Sequence, residues 1–188
     1  MQIIFKTLLT PQQYFEQNSQ KQVKPPKICP NCGRAHTLEA LTYYERYVTS
    51  VLAVLLIWVR RFLCRHCRVS VSCLPDFAQP YRAVNSATIA AGFSGQTQSR
   101  EQSRAVQHWG TAIAVYWRRY QRHLPALLCI VGNAFGALPL QPTAREFWNV
   151  LLARCGDLAS ATRQLVQQFH TSLFGTYRCH QRRQLRAA

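Results

Sequence analysis

Cys29-Pro30-Asn31-Cys32-Gly33 and Cys64-Arg65-His66-Cys67, two C-x-x-C pairs separated by thirty-one residues, decide how the first half of this chain folds. Each pair makes a tight turn that aims both sulfurs the same way, and two such turns can place four thiolates tetrahedrally around one Zn2+. Gly33 can take the positive φ that a metal-binding turn often needs. Residues 43–48 and 54–63, between the pairs, are rich in β-branched and aromatic side chains and predict an antiparallel hairpin that brings the two turns together. The layout is a zinc ribbon with Cys29, Cys32, Cys64 and Cys67 as ligands. Its interval exceeds the usual spacing of roughly fifteen to twenty residues. A redox C-x-x-C is the rival reading, but it lacks a surrounding βαβ pattern and leaves the second pair unexplained. Cys73, His36 and His66 are close enough in sequence to substitute for a ligand. Cys129, Cys155 and Cys179 are expected to be buried or free thiols.

Outward from this unit, shifts in composition divide the 188 residues into four segments. Residues 1–27 form an N-terminal arm ending in Lys24-Pro25-Pro26-Lys27, where two prolines block a helix. Its first turns can dock onto the body. Residues 28–80 are the ribbon, closed by Pro75 and Pro80. Residues 81–135 have a helix-turn-helix pattern: Asn85 or Ser86 caps a helix over 87–93, Gly95 lies in the turn, and Ser99 opens a long second helix with Gln102 in an S-x-x-Q capping box. Residues 136–188 form a helical hairpin with a basic tail over 178–186. There Thr143-Ala144-Arg145-Glu146 is a second capping box, Gly156-Asp157 stops one helix and caps the next, and Leu158, Ala161, Leu165, Phe169 and Leu173 recur at helical spacing towards a stop near Gly175. The expected class is α+β: a small β-rich zinc ribbon, a helix-turn-helix and a C-terminal helical hairpin.

Lys and Arg number 23 against 7 Asp and Glu, a formal net charge of +16. Nineteen of these cations are Arg, and the four Lys all lie at or before Lys27. Arg makes bidentate contacts to phosphate, so a polyanionic partner is implied. With 48% hydrophobic and 11% aromatic residues, the chain is no disordered basic tail. Its most apolar run, residues 48–59, falls short of the roughly 17–25 residues of a spanning helix. The N-terminus lacks the apolar region and cleavage site of a signal peptide. The expectation is a cytoplasmic protein without membrane contact.

In the second helix, Val106, Trp109, Ile113, Tyr116 and Tyr120 form the stripe expected to be buried, which leaves Arg100, Arg104, Gln107 and His108 on the other face. Arg and Gln can read guanine and adenine edges, and the first turns of a recognition helix are where such contacts occur. An ordinary amphipathic helix carries the same residue types. Arg118 and Arg119 lie too late for base contact and suit phosphate. Arg60, Arg61, Arg65 and Arg68 flank the second cysteine turn and give the ribbon a positive surface beside Tyr43, Tyr44 and Tyr47.

Over residues 28–95 the chain resembles the zinc-ribbon and helix-turn-helix proteins encoded in bacterial insertion elements and transposons. The matching residues are Cys29-Pro30-Asn31-Cys32-Gly33, Tyr44-Glu45-Arg46-Tyr47, Arg61-Phe62-Leu63-Cys64-Arg65-His66-Cys67, Leu74-Pro75-Asp76-Phe77 and Pro80-Tyr81-Arg82. Trp109 or Trp117, each on a helix with basic residues, is similar to an element that often follows in such proteins. The resemblance implies double-stranded DNA binding linked to transposition, in a bacterial protein that is nucleoid-associated when bound, with a transposase or another mobile-element protein as partner.

An RNase-H-type transposase needs three convergent acidic metal ligands. The seven acids, Glu16, Glu39, Glu45, Asp76, Glu101, Glu146 and Asp157, offer no such set in a strand-rich layout, and no hydrolase signature is present. The expectation is therefore a non-enzymatic accessory, targeting or regulatory factor. Two alternatives stand beside it. One is an RNA-binding ribbon whose tyrosines stack on bases. The other is an adaptor that docks a partner protein through Phe147, Trp148, Leu151 and Leu152.

Overall fold

A computed structural model describes residues 1–50 and 52–176. The expected basic tail over 178–186, with Cys179, lies outside the described residues. The sheet grows from the hairpin between the cysteine pairs. Strands β2 (Leu38–Ser50) and β3 (Ala53–Cys64) pair antiparallel from Leu38↔Cys64 to Ser50↔Ala53, with one register shift between Ala40 and Thr42. Strand β4 (Ser70–Pro75) pairs antiparallel with β3, and β1 (Gln2–Phe5) pairs parallel with β4, giving the order β1-β4-β3-β2.

Side chains alternate across this sheet, and each face carries a buried cluster. One face carries Ile4, Val48, Ile57, Val59 and Leu74, packed against Tyr14 of helix α1 (Pro11–Glu16) and against Val166. The other carries Phe62, Cys64, Val71 and Cys73, which pack with Leu38 and Cys29. Ile57 and Val59 are fully buried, and each such aliphatic side chain contributes about 1.5–3 kcal/mol.

The expected arm is therefore part of the sheet and its cover. β1 is an edge strand, and Thr10 caps α1 in a complete capping box with Gln13. Four residues are too few to show a period of two, and the parallel partner lies some seventy positions away, so nothing local marks this strand.

Helix α2 (Ser86–Ser94) starts where Asn85 Oδ1 accepts from the Thr88 N–H at 2.8 Å, and ends at Gly95, φ +70°. The long helix expected from Ser99 is two helices, α3 (Arg100–His108) and α4 (Gly110–Val131), joined at Trp109. The expected stripe crosses the break because both helices lie on one core: Ile113 and Tyr120 are buried, and Val106, Trp109 and Tyr116 pack beside them. Periodicity therefore continues, and only Gly110, a poor helix former, marks the interruption. At the start of α3, Ser99 Oγ accepts from the Gln102 N–H at 3.1 Å. The Gln102 side chain turns back to the Gln98 N–H, so half of the expected box forms.

Helices α5 (Ala144–Cys155) and α6 (Leu158–Phe169) form the expected hairpin. Thr143 and Glu146 make a complete capping box, Gly156 has φ +84°, and Asp157 accepts from the Ser160 N–H. α6 stops at Phe169, where His170 turns left-handed at φ +51°. A two-residue pair, β5 (Thr171–Ser172) and β6 (Gly175–Thr176), follows.

Phe147, Trp148 and Leu151 are completely buried in the helical core, and Leu152 is partly buried against it. Ring centroids of Trp117 and Trp148 lie 4.8 and 5.1 Å from that of Phe93, and Trp148 Nε1 donates to Ser94 Oγ at 3.1 Å. The apolar face assigned to an adaptor is thus part of the core itself, where α5 joins α4 in packing against Phe93 of α2. α6 also closes onto the sheet: Gln167 Nε2 donates to the Ile4 carbonyl at 3.0 Å, and Arg163 pairs with Asp76 at 3.1 Å. The molecule is a mixed α and β structure. Among the described residues, no helix is long and apolar enough to cross a membrane.

Candidate metal centre and basic surfaces

The two cysteine turns have one conformation. In the first, the Gly33 N–H donates to the Cys29 carbonyl at 2.9 Å and the Cys29 N–H to the Arg34 carbonyl at 2.9 Å. In the second, the Arg68 N–H donates to the Cys64 carbonyl at 2.9 Å and the Cys64 N–H to the Val69 carbonyl at 3.0 Å. The full-length pairing of β2 with β3 brings the turns together, and the Arg65 N–H donating to the Thr37 carbonyl at 2.8 Å ties one to the other.

The four sulfurs lie within 4.8 Å of one another, with Cys29 to Cys67 at 3.8 Å and Cys32 to Cys64 at 3.7 Å. A disulfide would need about 2.05 Å. Sulfurs at about 2.3 Å from a tetrahedral Zn2+ lie about 3.8 Å apart, so the donor set fits a metal of this kind. Burial pushes the Cys29 thiol up to about 12. Burial also raises Cys64, but hydrogen bonding with the Cys67 backbone, with Thr37 Oγ1 3.2 Å away and with the Cys67 and Cys29 thiols outweighs it and brings this thiol down to about 6. A bound cation favours the thiolate form of all four.

Among the described residues, the grouping comprises these four cysteines alone. Cys73 packs on the sheet, its thiol pushed up to about 12 by burial, and His36 and His66 are exposed beside the turns. Cys129 is exposed and Cys155 half-buried, both as free thiols.

The arginines around the turns do not form one surface. Arg60 lies over the Tyr43 ring, 4.4 Å from its centroid, and donates to its hydroxyl. Arg61 points to the opposite face and donates to Ser70 Oγ at 3.0 Å. Arg65 is ion-paired with Glu39, and Arg68 is exposed. By contrast, Arg100, Arg104, Gln107 and His108 are all exposed at a spacing that puts them on one side of α3. Arg118 and Arg119 are exposed on α4.

Two groups of residues escaped the sequence. Trp58, which the sequence did not single out, joins the expected Tyr43 and Tyr47 on one sheet face, where Tyr47 and Trp58 are 62% and 41% exposed, while Tyr44 lies on the opposite face. Alternation in β2 and β3 signals that one face is open, but not which one. Arg46 and Arg82 meet because Arg46 Nη2 donates to the carbonyls of Gln79 and Arg82. Thus Tyr44-Glu45-Arg46-Tyr47 and Pro80-Tyr81-Arg82, stretches with no spacing rule between them, are in contact.

A family model described as a domain of unknown function (DUF6431) matches residues 29–109, under half of the chain. No curated protein matches the chain, and no solved structure does. The matched span opens on the first cysteine of the candidate metal centre and ends on Trp109, so the four-cysteine unit, α2 and α3 all fall within it.

Proposed function

We propose that this chain is a DNA-binding zinc protein, with a zinc ribbon that holds the fold and a helix-turn-helix, α2 and α3, that contacts duplex DNA. One observation carries the DNA reading: Arg100, Arg104, Gln107 and His108 stand exposed along one side of α3, directly after α2 and its turn. A net charge of +16 favours a polyanionic partner. Four thiolates around Zn2+ leave no open coordination position, so the metal acts on stability rather than in catalysis. The role in transposition, as an accessory, targeting or regulatory factor working with a transposase, rests on the resemblance over residues 28–95.

Selection of duplexes from a random pool by the full chain tests the reading. Enrichment of a motif supports it, and recovery without enrichment limits the activity to non-specific binding. A second reading, single-stranded RNA stacked on Tyr43, Tyr47 and Trp58, is favoured by the open aromatic face of the ribbon. Competition between duplex DNA and RNA separates the two.

A further inference from the structure

Arg46, on β2, projects towards the helical side of the sheet, on the face that also carries Ile57, whereas Glu45, opposite Trp58, lies on the other face. It pins the loop over 79–82 by donating to two of its carbonyls. That loop delivers Arg82 to α4, where its guanidinium lies 5.4 Å from the Tyr116 ring centre and 5.3 Å from that of Phe174. Arg82 Nη1 donates to its neighbour's carbonyl, that of Tyr81, at 2.7 Å. Arg119 follows Tyr116 by one turn of the same helix and is exposed.

Three guanidinium groups are thereby gathered at the junction of ribbon, loop and α4 without a carboxylate. Among the described residues, the ion pairs are Arg65 with Glu39 and Arg163 with Asp76, both elsewhere. Burial, then the charge of Arg119, and then that of Arg46 all work against the charged form of Arg82, with only Tyr116 favouring it. The Nε atoms of Arg46 and Arg82 are buried and have no hydrogen-bond partner. Stacking fixes the plane of Arg82, and a fixed guanidinium is pre-organised for bidentate binding of an oxyanion.

We propose that Arg46, Arg82 and Arg119 form a phosphate-binding site, whose ligand is a phosphodiester of the nucleic-acid backbone. The identity of that ligand rests on the function proposed above. The site places backbone contact at the junction of α4 with the ribbon, away from the α3 face that would read bases. Arg119 and Arg82 bind the phosphate, and Arg46 is a positioning residue that holds the loop.

The test compares the full chain with Arg119→Gln and Arg82→Gln, and with Arg154→Gln as a control of equal charge on the exposed end of α5. Affinity for a selected duplex and its scramble is measured across a salt series. Arg119→Gln should weaken both duplexes alike and reduce the slope of log K against log salt by about 0.9. Arg154→Gln should leave the slope unchanged. Equal slopes in Arg119→Gln, Arg154→Gln and the wild type overturn the site. A second measurement needs no DNA: melting in pyrophosphate against chloride at matched ionic strength. Arg119→Gln should melt higher than the wild type in chloride, where repulsion is relieved, and should gain less from pyrophosphate. If the wild type binds no duplex but shows this pattern, the site stands as a phosphate site while the DNA reading fails. If pyrophosphate stabilises the wild type no more than Arg119→Gln, the site is overturned whatever the outcome with DNA.

Discussion

Gly33 and Arg68 occupy equivalent places, each directly after the second cysteine of its turn, and both hold a left-handed backbone at φ +72° and +58°. One turn meets this demand with the residue suited to it, and the other bears a side chain there. A Cβ at Gly33 would meet nothing within 4 Å, so the cost of substitution is conformational rather than steric. Gly33→Ala should destabilise the metal-loaded protein by about 1 kcal/mol, and Arg68→Gly should stabilise it by about 0.5–1 kcal/mol. Chemical denaturation of the metal-loaded forms reads both. Opposite signs support the equivalence of the two turns, and equal signs refute it.

The metal centre predicts one zinc per chain. Cys29→Ser or Cys64→Ser should abolish stoichiometric metal and unfold the hairpin base, because metal binding supplies much of the folding free energy of so small a unit. Cys73→Ala should keep the metal, since this thiol packs on the sheet outside the four-sulfur grouping. Metal analysis and circular dichroism of the three variants decide. Full metal in both serine variants, or its loss in Cys73→Ala, defeats the assignment.

On α3, Arg100→Ala combined with Arg104→Ala should reduce discrimination between a selected duplex and its scramble by about 1–3 kcal/mol for each bidentate hydrogen-bond pair to a base that the truncation removes. Arg118→Ala with Arg119→Ala should weaken both duplexes equally, because these residues lie on α4 beyond the break at Trp109. Binding at fixed salt checks this pair of outcomes. If discrimination survives in the α3 variant, another surface reads the bases.

His123, on α4 beside Thr171, has its pKa lowered from the ordinary 6.5, chiefly by burial, against a smaller opposing hydrogen bond at Ser172. The fold therefore prefers the neutral ring. Its contribution is present above the unfolded value and is lost as pH falls below about 6.5, where the unfolded chain takes up the proton first. Melting temperature should fall from pH 7 to pH 5, and His123→Gln should flatten that dependence. An unchanged slope in the variant removes His123 as the cause.

Spacing alone carried the hairpin and the cysteine turns, because a metal site imposes short local motifs that one long β-rich interval must connect. The caps at Thr143, Asp157 and Asn85 were equally local, each set within three residues. What escaped was non-local. β1 depends on a partner seventy positions away, and the α3 to α4 break hides beneath an apolar stripe that one core maintains across both helices. Arg46 and Arg82 belong to different elements, and only the packed loop over 79–82 makes them neighbours. The adaptor face failed for the opposite reason. An amphipathic pattern shows that a face is apolar but not what covers it: Trp148 packs on Phe93, and Phe147 on Phe135.

The Gln167 side chain reaches the Ile4 carbonyl across 163 positions, and Val166 fills the same face of the sheet as Ile4 and Ile57. During synthesis the cysteine turns and their hairpin can close early, since all their partners have already emerged. The face carrying Ile57 and Val59, covered in part by Tyr14 of α1, is completed only when α6 has emerged, about a hundred residues later. A ribosome-bound chain ending before Leu158 would hold the hairpin and its cysteine turns with an apolar sheet face covered only in part, by Tyr14 of α1, the kind of species on which chaperones act. Delaying the emergence of α6 should therefore show as aggregation of the nascent chain.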